Sequence, residues 1–164
     1  MADDPPLYCI DTSALITWWD EAYSPDVFEG LPDRLAGLVD EGRLRSVRYV
    51  REEIKDWDDE VTLAKWCNAQ NGFYLDDDEE IQLKVKELMA QFQTPKKKLG
   101  IAGADPFVIA RAALNGPQWR VVSSENPNNG NEQKNPNIPF VCKAIGTEHV
   151  RFLDMLRMEG WKLK

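Results

Sequence analysis

Residues 7–16 read Leu-Tyr-Cys-Ile-Asp-Thr-Ser-Ala-Leu-Ile, a short apolar run that passes through three polar residues into a second apolar run. The first run has the length of a buried strand, and Asp, Thr and Ser commonly precede a helix because their side chains bond its free N–H groups. The stretch therefore predicts a buried strand followed at once by a helix, with Asp11 at the junction.

The rest of the chain repeats this alternation of strands and helices. Strands are predicted at residues 44–47, 72–75, 119–123 and 149–152, with helical patterns around 31–39, 50–57, 61–67, 78–92, 105–113, 141–145 and 153–159. Polar stretches at 94–100 and 126–137 predict loops. The alternation predicts an α/β fold, a three-layer α/β/α sandwich with a mostly parallel central sheet. The length of 164 residues suits a single domain covering residues 1–164.

Composition narrows the classes of function. Apolar residues make up 43% of the chain and charged residues 29%, and no apolar run is long enough to span a membrane. The start, MADDPPLY, lacks the features of a signal peptide. The three cysteines, Cys9, Cys67 and Cys142, are widely spaced and form no CxxC pattern. We therefore expect a cytoplasmic protein without membrane association, disulfide framework or zinc site.

The net charge of −8 disfavours tight, nonspecific binding of nucleic acid, which normally requires a basic surface. It would also attract a basic partner protein. Two local clusters of basic residues run against the overall acidity: Arg43, Arg45, Arg48 and Arg51, and then Lys96, Lys97 and Lys98. The lysine cluster is interpreted either as a solvated loop or as an RNA-binding element that contacts phosphate.

Four acidic residues stand at informative places, although each has an ordinary structural explanation. Asp11 and Asp105 each open a predicted helix and could simply be N-caps, and Pro106 suits a first helical position. Glu53 could be a solvated helix residue and Glu125 a loop acid. Asp11 and Glu125 nevertheless follow predicted strands, which places both at the carboxyl edge of the sheet, where ligands bind in such folds.

Carboxylates gathered at one sheet edge have a recognised chemistry. Mg²⁺ and Mn²⁺ prefer oxygen ligands, and such ions can promote phosphodiester cleavage. The chain contains one histidine, His149, which disfavours a multi-histidine zinc site or catalysis by a histidine base. We expect His149 to be structural or exposed.

A family resemblance rests on four short motifs in order. Residues 8–16 (YCIDTSALI), 50–54 (VREEI), 103–112 (GADPFVIARA) and 121–125 (VVSSE) resemble the acidic motifs of the PIN-domain superfamily, which includes VapC-like ribonucleases. Residues 137–142 (NIPFVC) and 152–160 (FLDMLRMEG) resemble a less characterised branch of that superfamily. The similarity spans roughly residues 7–163.

The resemblance implies a PIN-like fold and a Mg²⁺- or Mn²⁺-dependent endoribonuclease. It implies that the catalytic and metal-binding residues are Asp11, Glu53, Asp105 and Glu125, and the motif selects Glu53 rather than the adjacent glutamate. Ser123, at the position of the family's Ser or Thr, would support the site through its hydroxyl. For VapC-like members it further implies a toxin held by an antitoxin protein, often as a homodimer.

Two departures from the pattern leave alternatives open. The fourth acid is Glu rather than the commoner Asp, and residues 76–98 form a longer segment than in minimal toxins. One alternative is a noncatalytic PIN-like binding module. A weaker alternative is an aspartate-dependent phosphatase, which usually carries a second Asp two residues after the first, where this chain has Ser13.

Overall fold

The computed structural model describes residues 4–58, 61–92, 101–129 and 136–162. Within these ranges, five strands form one sheet whose neighbouring strands are all parallel. The strands are β1 (Leu7–Ile10), β2 (Leu44–Val47), β3 (Tyr74–Leu75), β4 (Trp119–Ser123) and β5 (Glu148–Arg151), in the spatial order β3-β2-β1-β4-β5. The predicted α/β class with a parallel sheet is confirmed.

Helices cover both faces of this sheet. The described residues contain α1 (Thr12–Ile16), α2 (Leu31–Asp40), α3 (Arg48–Trp57), α4 (Thr62–Ala69), α5 (Glu79–Phe92), α6 (Asp105–Asn115), α7 (Ile138–Ile145) and α8 (Phe152–Met158). A π-helical segment, Thr17–Ala22, continues α1, and Pro127–Asn129 forms a single 3₁₀ turn. None of the described helices is long and apolar enough to cross a membrane.

The strand order assigns these helices to two layers. The chain moves from β1 outward to β3 and then crosses back to β4 and β5, so right-handed connections place α1–α4 on one face and α5–α7 on the other. Side-chain packing agrees: the ring of Trp18 lies 4.7 Å from that of Trp66 in α4 and 6.4 Å from that of Phe152 in α8. The structure is the predicted three-layer sandwich, with α8 in the first layer.

The element boundaries differ from the predicted ones in a few places. Helix α7 begins at Ile138 instead of near Val141, because the Asn137 side chain accepts a hydrogen bond from the Phe140 N–H at 3.0 Å and caps the helix earlier. Strand β3 contains only two residues. The π-helical continuation of α1 was not anticipated. The predicted loop at 94–100 lies entirely outside the described residues, as does part of the loop at 126–137.

The basic cluster of the sequence divides into two parts in the structure. Arg43 bonds Glu159 at 2.5 Å and the Pro6 carbonyl at 3.1 Å, at the amino edge of the sheet. The Arg45 guanidinium donates to the Val39 carbonyl at 2.9 Å. These two arginines stabilise the scaffold. Arg48 and Arg51 instead lie on α3, beyond the carboxyl end of β2.

Candidate functional site

Asp11 lies at the end of β1, where the chain turns into α1. Its backbone is extended (φ −87°, ψ 162°), and its N–H donates to the Val122 carbonyl at 2.8 Å, which ties it to β4. Oδ2 accepts hydrogen bonds from the Ser13 N–H at 3.3 Å and the Ser13 hydroxyl at 3.0 Å, so the N-cap interpretation is confirmed. Oδ1 is buried and has no hydrogen-bond partner. One oxygen of this carboxylate therefore caps the helix, and the other remains available for a ligand.

Ser13 is a site residue that the sequence did not reveal. Its hydroxyl donates to Asp11 and accepts the N–H of Ser124 at 3.1 Å, so it connects the carboxyl ends of β1 and β4. In the sequence, Ser13 stood out only as a departure from the phosphatase pattern. Its position two residues after Asp11 was the signal that could have identified it, because short hydroxyl side chains in the first turn of a helix often bond the capping residue.

Glu53 projects from α3 toward the segment that precedes α6. Its Oε1 accepts the Ala104 N–H at 2.8 Å, while the neighbouring Glu52 is exposed. The chain approaches closely here because Gly103 has no side chain: a Cβ at that position would lie 3.0 Å from Glu53 Oε1. The structure thus directs Glu53, the residue that the motif selects, toward Asp105.

Asp105 is the first residue of α6. The alternative interpretation of Asp105 as the cap is wrong: the N-cap is Ala104, because its carbonyl accepts the Val108 N–H at 3.1 Å and the helix begins at Asp105. Burial raises the pKa of Asp105 to about 9, and repulsion from the charges of Asp11, Glu125 and Glu53 adds to this effect. Asp105 is therefore an acid whose negative charge is strongly disfavoured without a compensating cation.

Glu125 follows β4 and faces the start of α7. Its Oε2 accepts the Ile138 N–H at 2.8 Å, and its own N–H donates to the Ser123 hydroxyl at 3.2 Å. Burial raises the pKa of Glu125, and the bond from Ile138 opposes this shift. The fourth acid is therefore held by a backbone N–H at one carboxylate oxygen and by a side-chain hydroxyl at its own N–H, with its second carboxylate oxygen outside these contacts.

Ser123 supports Glu125 and is itself supported by His149. Ser123 is fully buried, and its Oγ lies 2.7 Å from His149 Nε2. The same oxygen accepts the Glu125 N–H at 3.2 Å, so Ser123 forms hydrogen bonds with both His149 and Glu125. Burial lowers the pKa of His149 to about 4, which keeps the ring neutral. His149 is half-buried and holds the end of β4 through Ser123.

The four acids gather above β1 and β4, where the direction in which the chain adds strands to the sheet reverses. β1 and β4 are neighbours, but the chain runs outward from them to opposite edges, which makes the space above them the switch point at which such folds bind ligands. Burial raises the pKa of Asp11 to about 6, and repulsion from Glu53 and Glu125 contributes. The structure therefore brings Asp11, Glu53, Asp105 and Glu125 within electrostatic reach of one another.

The donors at this point match a hard divalent cation in kind. Among the described residues, no group of three or more His, Cys, Asp or Glu side chains is arranged to hold a metal ion. Glu53 and Glu125 each use one oxygen to accept a backbone N–H. The buried, unbonded Oδ1 of Asp11 and the repulsion among the acids are the features that a cation would relieve.

Lys96, Lys97 and Lys98 lie outside the described residues, and their interpretation as an RNA-binding loop stays a prediction.

Comparison with known proteins assigns a family without assigning an activity. No curated protein matches the chain. The model of a family described as a domain of unknown function (DUF4411) matches residues 8–163, and the chain therefore belongs to that family.

Proposed function

We propose that this protein is a Mg²⁺- or Mn²⁺-dependent endoribonuclease with the acid cluster as its active site. The observation that carries the proposal is the buried Oδ1 of Asp11, which has no hydrogen-bond partner and lies among three further carboxylates at the switch point of the sheet. A structural cap needs one carboxylate oxygen, and Oδ2 already fills that role.

The four acids would divide the work of holding the ion. Asp11 and Asp105 are the more deeply buried pair and would be its fixed ligands, while Glu53 and Glu125 would turn an oxygen toward it from their places beside α6 and α7. A divalent ion held there supplies charge stabilisation for a phosphodiester and activation of water. Ser13 and Ser123 orient Asp11 and Glu125 through the hydrogen bonds described above.

The resemblance to PIN-domain proteins supports RNA as the substrate, and its VapC-like members suggest a toxin paired with an antitoxin in the cytoplasm. The PIN-like assignment and the antitoxin partner are parts of the proposal. A homodimer belongs to the same proposal, and size-exclusion chromatography with light scattering tests it directly.

The test compares cleavage of a mixed RNA by wild type, Asp11→Asn and Asp105→Asn, in MnCl₂ and in EDTA. Asn caps a helix about as well as Asp, so Asp11→Asn should unfold at or above the wild-type temperature while cleavage disappears. Asp40→Asn, the same chemical change at an exposed position at the end of α2, is the matched control and should cleave like wild type. Undiminished cleavage by folded Asp11→Asn protein would refute the nuclease.

A second candidate is a noncatalytic RNA-binding module. It is favoured by the backbone hydrogen bonds that engage one carboxylate oxygen of Glu53 and one of Glu125. The same assay separates the two, because a binding module would retain RNA without cutting it in MnCl₂. Hydrolysis of a generic phosphomonoester, measured in parallel, would instead support the aspartate-dependent phosphatase.

A further inference from the structure

The carboxyl edge of the sheet carries cationic side chains on both sides of the acid cluster. In the strand order β3-β2-β1-β4-β5, a groove lies at the β3 and β2 end, the acids lie over β1 and β4, and a second pocket lies at the β5 end. The chain has a net charge of −8, yet basic side chains stand on both sides of the acids along this edge.

The groove at the β3 end has a volume of about 590 Å³ and a basic wall. Arg48, Arg51 and Lys55 line it from α3, and their spacing of three and four residues puts them on one stripe of the helix, about 10 Å long. Arg48 also pairs with Asp77 at 2.9 Å, whereas neither of the other two has an ion-pair partner among the described residues. The half-buried ring of Tyr74 also lines the groove.

Two acids also line this groove. Glu52 and Asp76 reduce its net charge, and Asp77 pairs with Arg48, so the positive character of the groove lies in the stripe that carries Arg51 and Lys55. A short basic stripe beside an aromatic ring is typical of sites that bind a single nucleic-acid strand through phosphates and stacked bases.

The pocket at the β5 end has a volume of about 290 Å³ and adjoins the acid cluster through Ser124. Arg151 and Arg157 supply its positive charge, and the only acid among its lining residues is Asp154, 3.8 Å from Arg157. Tyr23, at the end of the π-helical segment, provides an aromatic ring. This second site repeats the basic and aromatic character of the groove on the other side of the acids.

We propose that the carboxyl edge is a track for one RNA strand, in which the groove holds phosphates on one side of the acid cluster and the pocket holds phosphates on the other. The proposal rests on the nuclease assignment and adds the path of the substrate. Four strand intervals separate β3 from β5, a distance of about 19 Å, which several nucleotides of an extended single strand would span. Arg51 and Lys55 on one side, and Arg151 and Arg157 on the other, are the contacts.

The test measures binding in EDTA, so that cleavage plays no part. The probe is a labelled, mixed-sequence single-stranded RNA of about 12 nucleotides, and its affinity is followed by fluorescence anisotropy from low to high salt. The variants are Arg51→Ala/Lys55→Ala, Arg151→Ala/Arg157→Ala and a control, Lys86→Ala/Lys143→Ala. The control removes the same two charges from α5 and α7, in the opposite helical layer.

Each edge variant should lower the slope of log affinity against log salt by about 1.4, since each lost phosphate contact of a single strand contributes about 0.7. The control should keep the wild-type slope. If either edge variant behaves like the control, or if the wild type fails to bind the RNA, the track is refuted.

The outcomes separate this proposal from the nuclease. A wild type that binds with the expected slopes but never cuts in MnCl₂ refutes the nuclease and supports the track. A wild type that cuts, with slopes unchanged in both edge variants, refutes the track and leaves the nuclease standing.

Discussion

Gly103→Ala should damage the acid cluster from a position that bears no functional group. Gly103 has a left-handed backbone (φ +57°), and the Cβ of an alanine there would lie 3.0 Å from Glu53 Oε1 and 3.7 Å from the carboxylate carbon. The methyl group therefore strains the backbone and also pushes the Glu53 carboxylate away from the Ala104 N–H, which it accepts at 2.8 Å.

The two effects have separate magnitudes. A left-handed conformation costs an L-residue roughly 1–2 kcal/mol, which for a chain of this size lowers the melting temperature by about 2–8 °C. Loss of the hydrogen bond that holds Glu53 is worth about 1 kcal/mol, or about fivefold in the dissociation constant of a cation that Glu53 helps to bind.

Gly146→Ala isolates the first effect. Gly146 ends α7 with φ +78°, and a Cβ there meets no atom within 4 Å. Both variants should melt several degrees below wild type, but only Gly103→Ala should also lose Mn²⁺ affinity, measured by calorimetric titration of the folded proteins. Equal Mn²⁺ affinities in the two variants would show that the position of Glu53 does not matter for the ion.

Three further predictions concern the acids and their support. Glu53→Gln should need far more Mn²⁺ for cleavage than wild type, while Glu52→Gln keeps the wild-type Mn²⁺ requirement, because only Glu53 faces the cluster; a Mn²⁺ titration giving the reverse order would contradict this. The raised pKa of Asp105 (about 9) and of Asp11 (about 6) means that folding favours their protonated forms, so their contribution to stability is full below about pH 4 and is lost as pH rises through 6 and 9. In EDTA, the free energy of unfolding of wild type should therefore fall relative to that of Asp105→Asn between pH 5 and pH 9. Denaturant titrations at several pH values measure both free energies. If the two free energies change with pH in parallel, the raised pKa of Asp105 is excluded. Ser13→Ala should reduce cleavage while Ser13→Thr restores most of it, since the hydroxyl links the two strand ends; cleavage at the wild-type rate in the alanine variant would remove Ser13 from the site.

The sequence predicted those elements of the fold that are determined by local patterns, such as the length of an apolar run. Residues 44–47 and 119–123 form β2 and β4 with the predicted bounds, because their apolar side chains are buried on both faces of a parallel sheet. It did not predict the π-helical segment Thr17–Ala22, which depends on how Trp18 packs against α4 and α8. Packing between distant elements leaves no local pattern.

The candidate site could likewise be predicted only where it depends on local sequence. The positions of Asp11 and Glu125 follow from strand ends, and the motif gave Glu53 and Asp105. The contacts that orient the acids could not be predicted, since the Ala104 N–H and the Ile138 N–H come from segments remote from Glu53 and Glu125 in the chain.

The strand order also determines when the acid cluster can first exist during synthesis. β1 is central, yet its neighbour β4 is made only after residue 119, so a nascent chain that ends earlier exposes one side of β1 and lacks Glu125. Asp11, the first of the acids to emerge from the ribosome, gains its bond to the Val122 carbonyl only when β4 has been added. A chain on the ribosome that has not reached β4 therefore has no assembled cluster, and whatever the cluster does is withheld until Glu125 has been translated.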